Sequence, residues 1–141
     1  MTFAGTVHEF SIRPIGYVCS PLTSRDEAPR QGSEGAPDAW LELDETVLAG
    51  IDGIAVGQEI IVLTWFHQSR RDVLKLHPRG DPTLPLSGVF ATRSPDRPNP
   101  IGLHRVRVVE RTRNRIKVGP LEAIDGTPIV DIKPVLAVED H

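Results

Sequence analysis

Apolar and polar residues alternate along much of this chain, with the period of a strand rather than a helix. Residues 58–67 carry the strongest run. Ile60, Val62 and Phe66 fall on one side, and Ile61, Leu63, Trp65 and His67 on the other. Both sides are apolar, which predicts a strand covered on both faces. Residues 103–111 set His104, Val106 and Val108 opposite Arg105 and Arg107. Asn114 marks a turn, and Arg115 to Gly119 is expected to pair back as a hairpin. Residues 10–19 predict a first strand, with an edge position or bulge at Pro14, and residues 40–43 a short second one. Asp44 is expected to cap a brief helix ending at Gly50. Residues 73–76 and 88–91 read as short strands on either side of a Pro/Gly loop. A turn at Asp125-Gly126-Thr127-Pro128 leads into a last strand that runs to Leu136. The sum is a mainly β chain: a single small β-barrel of seven or eight short strands with one or two short helices.

Length adds that 141 residues make one domain, 1–141, with a core over about 12–138. Thirteen prolines and twelve glycines disfavour a helical bundle. A net charge of −3 is a poor global footprint for a nucleic-acid binder. The charge is uneven, however. Residues 93–117 hold Arg93, Arg97, Arg105, Arg107, Arg111, Arg113, Arg115 and Lys117 against Asp96 and Glu110. Such a run either attracts phosphates or forms the exposed face of a strand hairpin.

The single cysteine, Cys19, excludes an internal disulfide and a cysteine metal cluster. The five histidines lack paired ligand spacing, so no metal is expected. No Rossmann glycine pattern, P-loop or nucleophile elbow is present. Without a basic segment leading into an apolar core, or a stretch of spanning length, the chain is expected to be cytoplasmic and off the membrane.

The densest chemistry lies in residues 88–102. Pro95, Pro98 and Pro100 forbid a helix interior or a central strand there, and stiffen the loop before anything binds. Arg93 and Arg97 hang on it with Asp96 and Asn99 between and beside them. Forked donors on a rigid backbone suit a polar, planar or anionic ligand. The same pattern also suits a proline-braced turn with solvated arginines. A second long loop, 20–39, is rich in Ser, Pro, Gly and charge.

Four segments together resemble the tRNA methyltransferase O family, whose members are also called TsaA-like. They are Pro14 to Pro21 (PIGYVCSP), Ala28 to Gln31 (APRQ), Gly88 to Gly102, and Leu121 to Pro134 with its DGTPIVDIKP stretch. They span nearly the whole chain. The resemblance implies a β-barrel methyltransferase, S-adenosylmethionine as methyl donor, and a homodimer with the donor near the subunit interface. It also implies tRNA as partner, methylated on the exocyclic nitrogen of threonylcarbamoyl-adenosine beside the anticodon. By position, the family's donor-binding places fall at Arg30, Gln31, Gly32, Ser33, His67, Gln68, Arg93, Leu103, Leu121, Glu122, Ala123, Ile124 and Asp125. Leu103, Leu121 and Ile124 are expected to sandwich the adenine, and Arg93 to meet the donor's carboxylate. Arg97, Asn99, Arg105 and Arg113 are the expected substrate contacts. The proton acceptor stays open among His67, His104, Asp96, Asp125 and Asp131. Two departures stand out: Cys19 occupies a position where a basic residue is expected, and the chain ends at His141 without the added C-terminal domain of some bacterial members. These, with the acidic balance, keep a second reading in play: a module that binds S-adenosylmethionine, or a methyltransferase for a different acceptor.

Overall fold

A computed structural model of the chain describes residues 8–29 and 35–136. Its strands are β1 (Gly16–Cys19), β2 (Ala39–Leu43), β3 (Glu59–Trp65), β4 (Lys75–Leu76), β5 (Ser87–Gly88), β6 (Ile101–Arg111), β7 (Arg115–Gly119) and β8 (Pro128–Pro134). Six of them close into a barrel in the order β1-β2-β7-β6-β3-β8, and every pairing is antiparallel. Closure depends on β8, which pairs with β1 on one side and β3 on the other. β4 and β5 form a separate two-stranded ribbon.

Period-2 alternation sends one side of each strand inward. Ile60 and Val62 of β3 meet Val106 and Val108 of β6, Ile116 and Val118 of β7, Leu41 and Leu43 of β2, Val18 of β1 and Ile129 of β8 in one core. Asp44 caps the segment after β2 as expected, its carboxylate accepting the Thr46 N–H at 2.9 Å. The helix it starts, Glu45–Ile51, is a 3-10 helix that seats Ile51 against the core. Thr46 holds the Asp44 carboxyl below the usual carboxylate range.

Three expectations need correction. Residues 88–91 are no strand: only Ser87–Gly88 pairs, and Val89–Ala91 turns as a 3-10 helix that buries Val89. The first strand is confined to Gly16–Cys19, because Pro14 withholds a ladder donor. β3 is enclosed on its inner side alone. Its outer residues Ile61, Leu63 and Trp65 are half-buried, and opposite them on β6 Leu103 and Ile101 stay 49% and 42% exposed.

Ile116 is fully buried in the centre of this core. Ile116→Ala is expected to cost about 2–5 kcal/mol, read as a lowered urea midpoint with an unchanged slope.

Candidate functional site

Four loops meet at one region of the barrel, and the loop after β1 bonds to the other three. Arg25 donates to the Gln68 carbonyl at 3.3 Å and to the Asp96 carboxylate at 3.2 Å. The Ser20 N–H donates to Asp125 Oδ1 at 2.9 Å, and the Asp125 N–H returns to the Leu22 carbonyl at 2.7 Å. The segments 66–72 and 92–100 are tied directly as well. The Arg70 N–H donates to Asp96 at 2.9 Å, the Arg97 N–H to the Arg70 carbonyl at 3.0 Å, and the Phe66 N–H to the Pro100 carbonyl at 2.8 Å. Arg71 reaches over the Trp65 ring, 5.1 Å from its centre, to donate to the Pro98 carbonyl and to Asn99 Oδ1. The proline loop is thus clamped as well as stiff.

These bonds sort the expected residues. Asp96 is a staple between three segments. Asp131 lies beside Lys133 at 3.4 Å and accepts the Ile132 N–H, an ion pair on one strand. Arg97 corrects the expectation of a substrate contact: its guanidinium turns inward and donates to the Val89 and Thr92 carbonyls, bracing the 3-10 turn before the loop. Asn99 is exposed, with its side-chain oxygen held by Arg71. Arg93 is exposed and bonds to no described residue. His67 and Gln68 are exposed just past the end of β3.

Leu103 and Leu121 do not sandwich anything within one chain. Leu121 and Ala123 point into the core, and Ile124 is 7% exposed, whereas Leu103 lies on the outer face of β6. The turn 121–125 therefore offers a ligand mainly its backbone and the side chains of Glu122 and Asp125. Arg30, Gln31, Gly32 and Ser33 lie outside the described residues.

His104 has neither ring nitrogen free. Nε2 lies 2.7 Å from Thr64 Oγ1, and Nδ1 2.5 Å from Glu122 Oε1. Phe66 packs edge-on against the ring, with centres 5.7 Å apart. The His104 side chain is 1% exposed, so it corrects the expectation of a direct proton acceptor; the Glu122 side chain keeps 15%. Thr64 was not singled out from the sequence. Its signal is parity: it is the polar inward residue on a strand whose other inward positions are Ile60 and Val62.

The basic run is largely neutralised. Arg105 and Arg107 both reach Glu59, Arg113 holds Glu45 through two 2.8 Å bonds, and Arg111 donates to the Ile54 carbonyl. Arg115 lies 4.5 Å from the Trp40 ring centre. Bonding from Arg105 and then its charge hold the Glu59 carboxyl below the usual range, and bonding from Arg113 does the same for Glu45. Cys19 beside Glu42 has its thiol pushed up, first by burial and then by the bond to Glu42. Among the described residues, no group of three or more His, Cys, Asp or Glu is arranged to hold a metal ion, and no helix is long and apolar enough to cross a membrane.

Comparison with known proteins agrees with this architecture. A family model for the tRNA-methyltransferase O N-terminal domain matches residues 17–141. A protein of Methanothermobacter thermautotrophicus, named probable S-adenosyl-L-methionine-binding protein, is 40% identical over 126 residues, covering 89% of this chain and 90% of that one. An Archaeoglobus fulgidus protein, named S-adenosyl-L-methionine-binding protein, is 43% identical over 122 residues, or 86% of each chain. The crystal structure of TrmO from Pseudomonas aeruginosa superposes with a TM-score of 0.77 at 30% identity, covering 97% of this chain and 59% of that one. This chain thus spans under two thirds of the TrmO chain.

Because their carboxyls sit low in the folded state, the Glu45 and Glu59 pairs contribute stability above the ordinary carboxylate range and lose it as pH falls through the lowered values. The double variant Glu45→Gln, Glu59→Gln is expected to show a Tm that falls less steeply with acidification than the parent's, measured by calorimetric scans across that range.

Proposed function

The chain belongs to the tRNA-methyltransferase O family, and on that premise we propose that it is an S-adenosylmethionine-dependent methyltransferase acting on tRNA, at the exocyclic nitrogen of threonylcarbamoyl-adenosine beside the anticodon. The observation that carries this reading is the clamped four-loop rim. One guanidinium there, Arg93, bonds to no described residue, and one carboxylate, Glu122, is oriented from behind. A donor with an amino-acid tail and a nucleoside asks for a cation at its carboxylate and for acceptors and backbone groups along its polar edges. Arg93, the exposed Gln68 side chain and the backbone N–H groups of residues 122–124 supply that set, so the residues fit the group. When bound, the donor supplies an activated methyl on a sulfonium.

Such a transfer is an in-line displacement, and alignment alone contributes about 7–11 kcal/mol. A rim already fixed by Arg25, Arg70, Arg71 and Asp96 serves that purpose, because little ordering is left to be done on binding.

The outer face of β3 and β6 supports a homodimer. Ile61, Leu63, Trp65, Ile101 and Leu103 form a contiguous apolar stripe, and monomers seldom leave such a stripe open. Leu103, one of the expected donor contacts, would then meet ligand or partner at the interface rather than Leu121 of its own chain. Function on tRNA implies the cytosol.

A second reading keeps donor binding but changes the acceptor. It is favoured by the neutralised arginines of β6 and by relatives named for binding alone. Calorimetry with S-adenosylmethionine, paired with nucleoside analysis of tRNA incubated with enzyme and donor, separates the two. Donor binding with a new methyl on threonylcarbamoyl-adenosine supports the first, donor binding with unmodified tRNA the second, and no binding refutes both.

Arg93→Ala is expected to weaken donor affinity more than about tenfold, since a charge-assisted contact is worth about 1.5–3 kcal/mol; unchanged affinity removes Arg93 from the site. Leu103→Glu is expected to convert a dimeric parent to monomers in sedimentation, by placing a charge in the stripe.

A further inference from the structure

We propose that Glu122 accepts the proton released in the methyl transfer, and that Thr64 and His104 are the positioning residues that hold it ready; this rests on the methyltransferase reading above.

Parity sets two inward residues apart from their neighbours. Thr64 and His104 occupy inward positions of β3 and β6, where the neighbouring inward residues are Val62 and Val106. A hydroxyl and an imidazole buried there cost free energy unless bonded, and an apolar pair would fill the space without that cost. The fold also makes room for them. At Gly102, opposite Thr64 in the ladder, a Cβ would lie 2.5 Å from Thr64 Oγ1 and 2.7 Å from His104 Nε2. The register of β3 against β8 slips between Leu63 and Thr64, an irregularity of the kind that re-aims a side chain.

The bonds then fix a direction. Thr64 Oγ1 has no other hydrogen-bond partner among the described residues, so its hydrogen goes to Nε2. Nε2 is an acceptor, Nδ1 carries the ring hydrogen, and that hydrogen points at Glu122 Oε1. Phe66 packs against the imidazole edge-on. One oxygen of Glu122 is thereby occupied and the side chain pinned, while the side chain as a whole keeps 15% of its surface exposed on the turn 121–125. A base oriented by a second group, itself oriented by a third, is the arrangement that proton-transfer sites need. The other candidates lack it. Asp96 and Asp131 are consumed by ion pairs and backbone donors, Asp125 holds the Ser20 N–H, and nothing described orients His67.

In the step, the donor's carbon–sulfur bond breaks with its electron pair left on sulfur. The acceptor nitrogen forms the new carbon–nitrogen bond, and its N–H proton passes to Glu122 Oε2. His104 keeps its own proton throughout and holds the carboxylate in place.

The test uses the full chain, with S-adenosylmethionine and tRNA bearing unmethylated threonylcarbamoyl-adenosine. Glu122→Gln is expected to lower single-turnover methyl transfer at least about 100-fold, while donor affinity by calorimetry stays within about threefold. His104→Asn retains a donor near the Nδ1 position and is expected to keep most of the rate. His104→Leu loses it and is expected to fall about as far as Glu122→Gln. In the ligand-free parent, nitrogen NMR is expected to show Nδ1 protonated and Nε2 bare, and Thr64→Val to show both tautomers. Parent-like turnover in Glu122→Gln, or a loss of donor affinity that accounts for its whole defect, overturns the assignment. Equal rates for the Asn and Leu variants overturn the positioning role, and they decide the matter alone if Glu122→Gln does not fold. A parent that binds the donor but leaves this tRNA unmethylated instead removes the function proposed above, and this assignment with it.

Discussion

Closure of the sheet through β8 is the constraint from which the rest follows. Once β8 pairs with both β1 and β3, no barrel strand keeps a free edge, and a one-residue slip anywhere would turn a strand's apolar side to solvent. Each inward position must then be filled or hydrogen-bonded. Val18, Leu41, Ile60, Val62, Val108 and Ile116 fill theirs. Thr64 and His104 are polar there, and they are bonded to each other and on to Glu122. The polar line to Glu122 is therefore a consequence of closure as much as a feature added to it.

The loops obey a different economy. They carry few large buried side chains and hold their shape by charge and backbone bonds. Arg25, Arg70, Arg71 and Asp96 connect segments far apart in sequence, and most of these bonds end on carbonyls or on a single carboxylate. Proline supplies local stiffness, and arginine carries that stiffness from one loop to the next. A rim built in this way presents fixed groups to a ligand while staying open to solvent, which hydrophobic packing alone would not allow.

The barrel was largely legible because period 2 is a strong signal and the turns carry Gly, Asn, Asp and Pro. Residues 59–65 and 115–119 fall where alternation and the Asn114 turn put them, and β6 contains the 103–111 run but starts two residues earlier, at Ile101 directly after Pro100. Residues 88–91 misled, because three apolar residues after a glycine read equally well as a strand or as a single turn that buries Val89. The site was legible as a set of loops but not as a set of roles. Arg97 and Arg93 look alike in sequence; what tells them apart is that one guanidinium turns inward while the other bonds to no described residue. Arg25 carried no local mark at all, since its partners lie 43 and 71 residues away. Likewise, eight basic residues in a short run suggested a cationic surface, but Glu45 and Glu59 reach it from other elements.

The two tryptophans of the chain each lie beneath a guanidinium, Trp40 under Arg115 and Trp65 under Arg71. Arg71 also grips the proline loop at Pro98 and Asn99. The indole of Trp65 is accordingly a built-in optical gauge: any rearrangement of that loop lifts or lowers the cation above the ring, and its emission registers the change without an added dye.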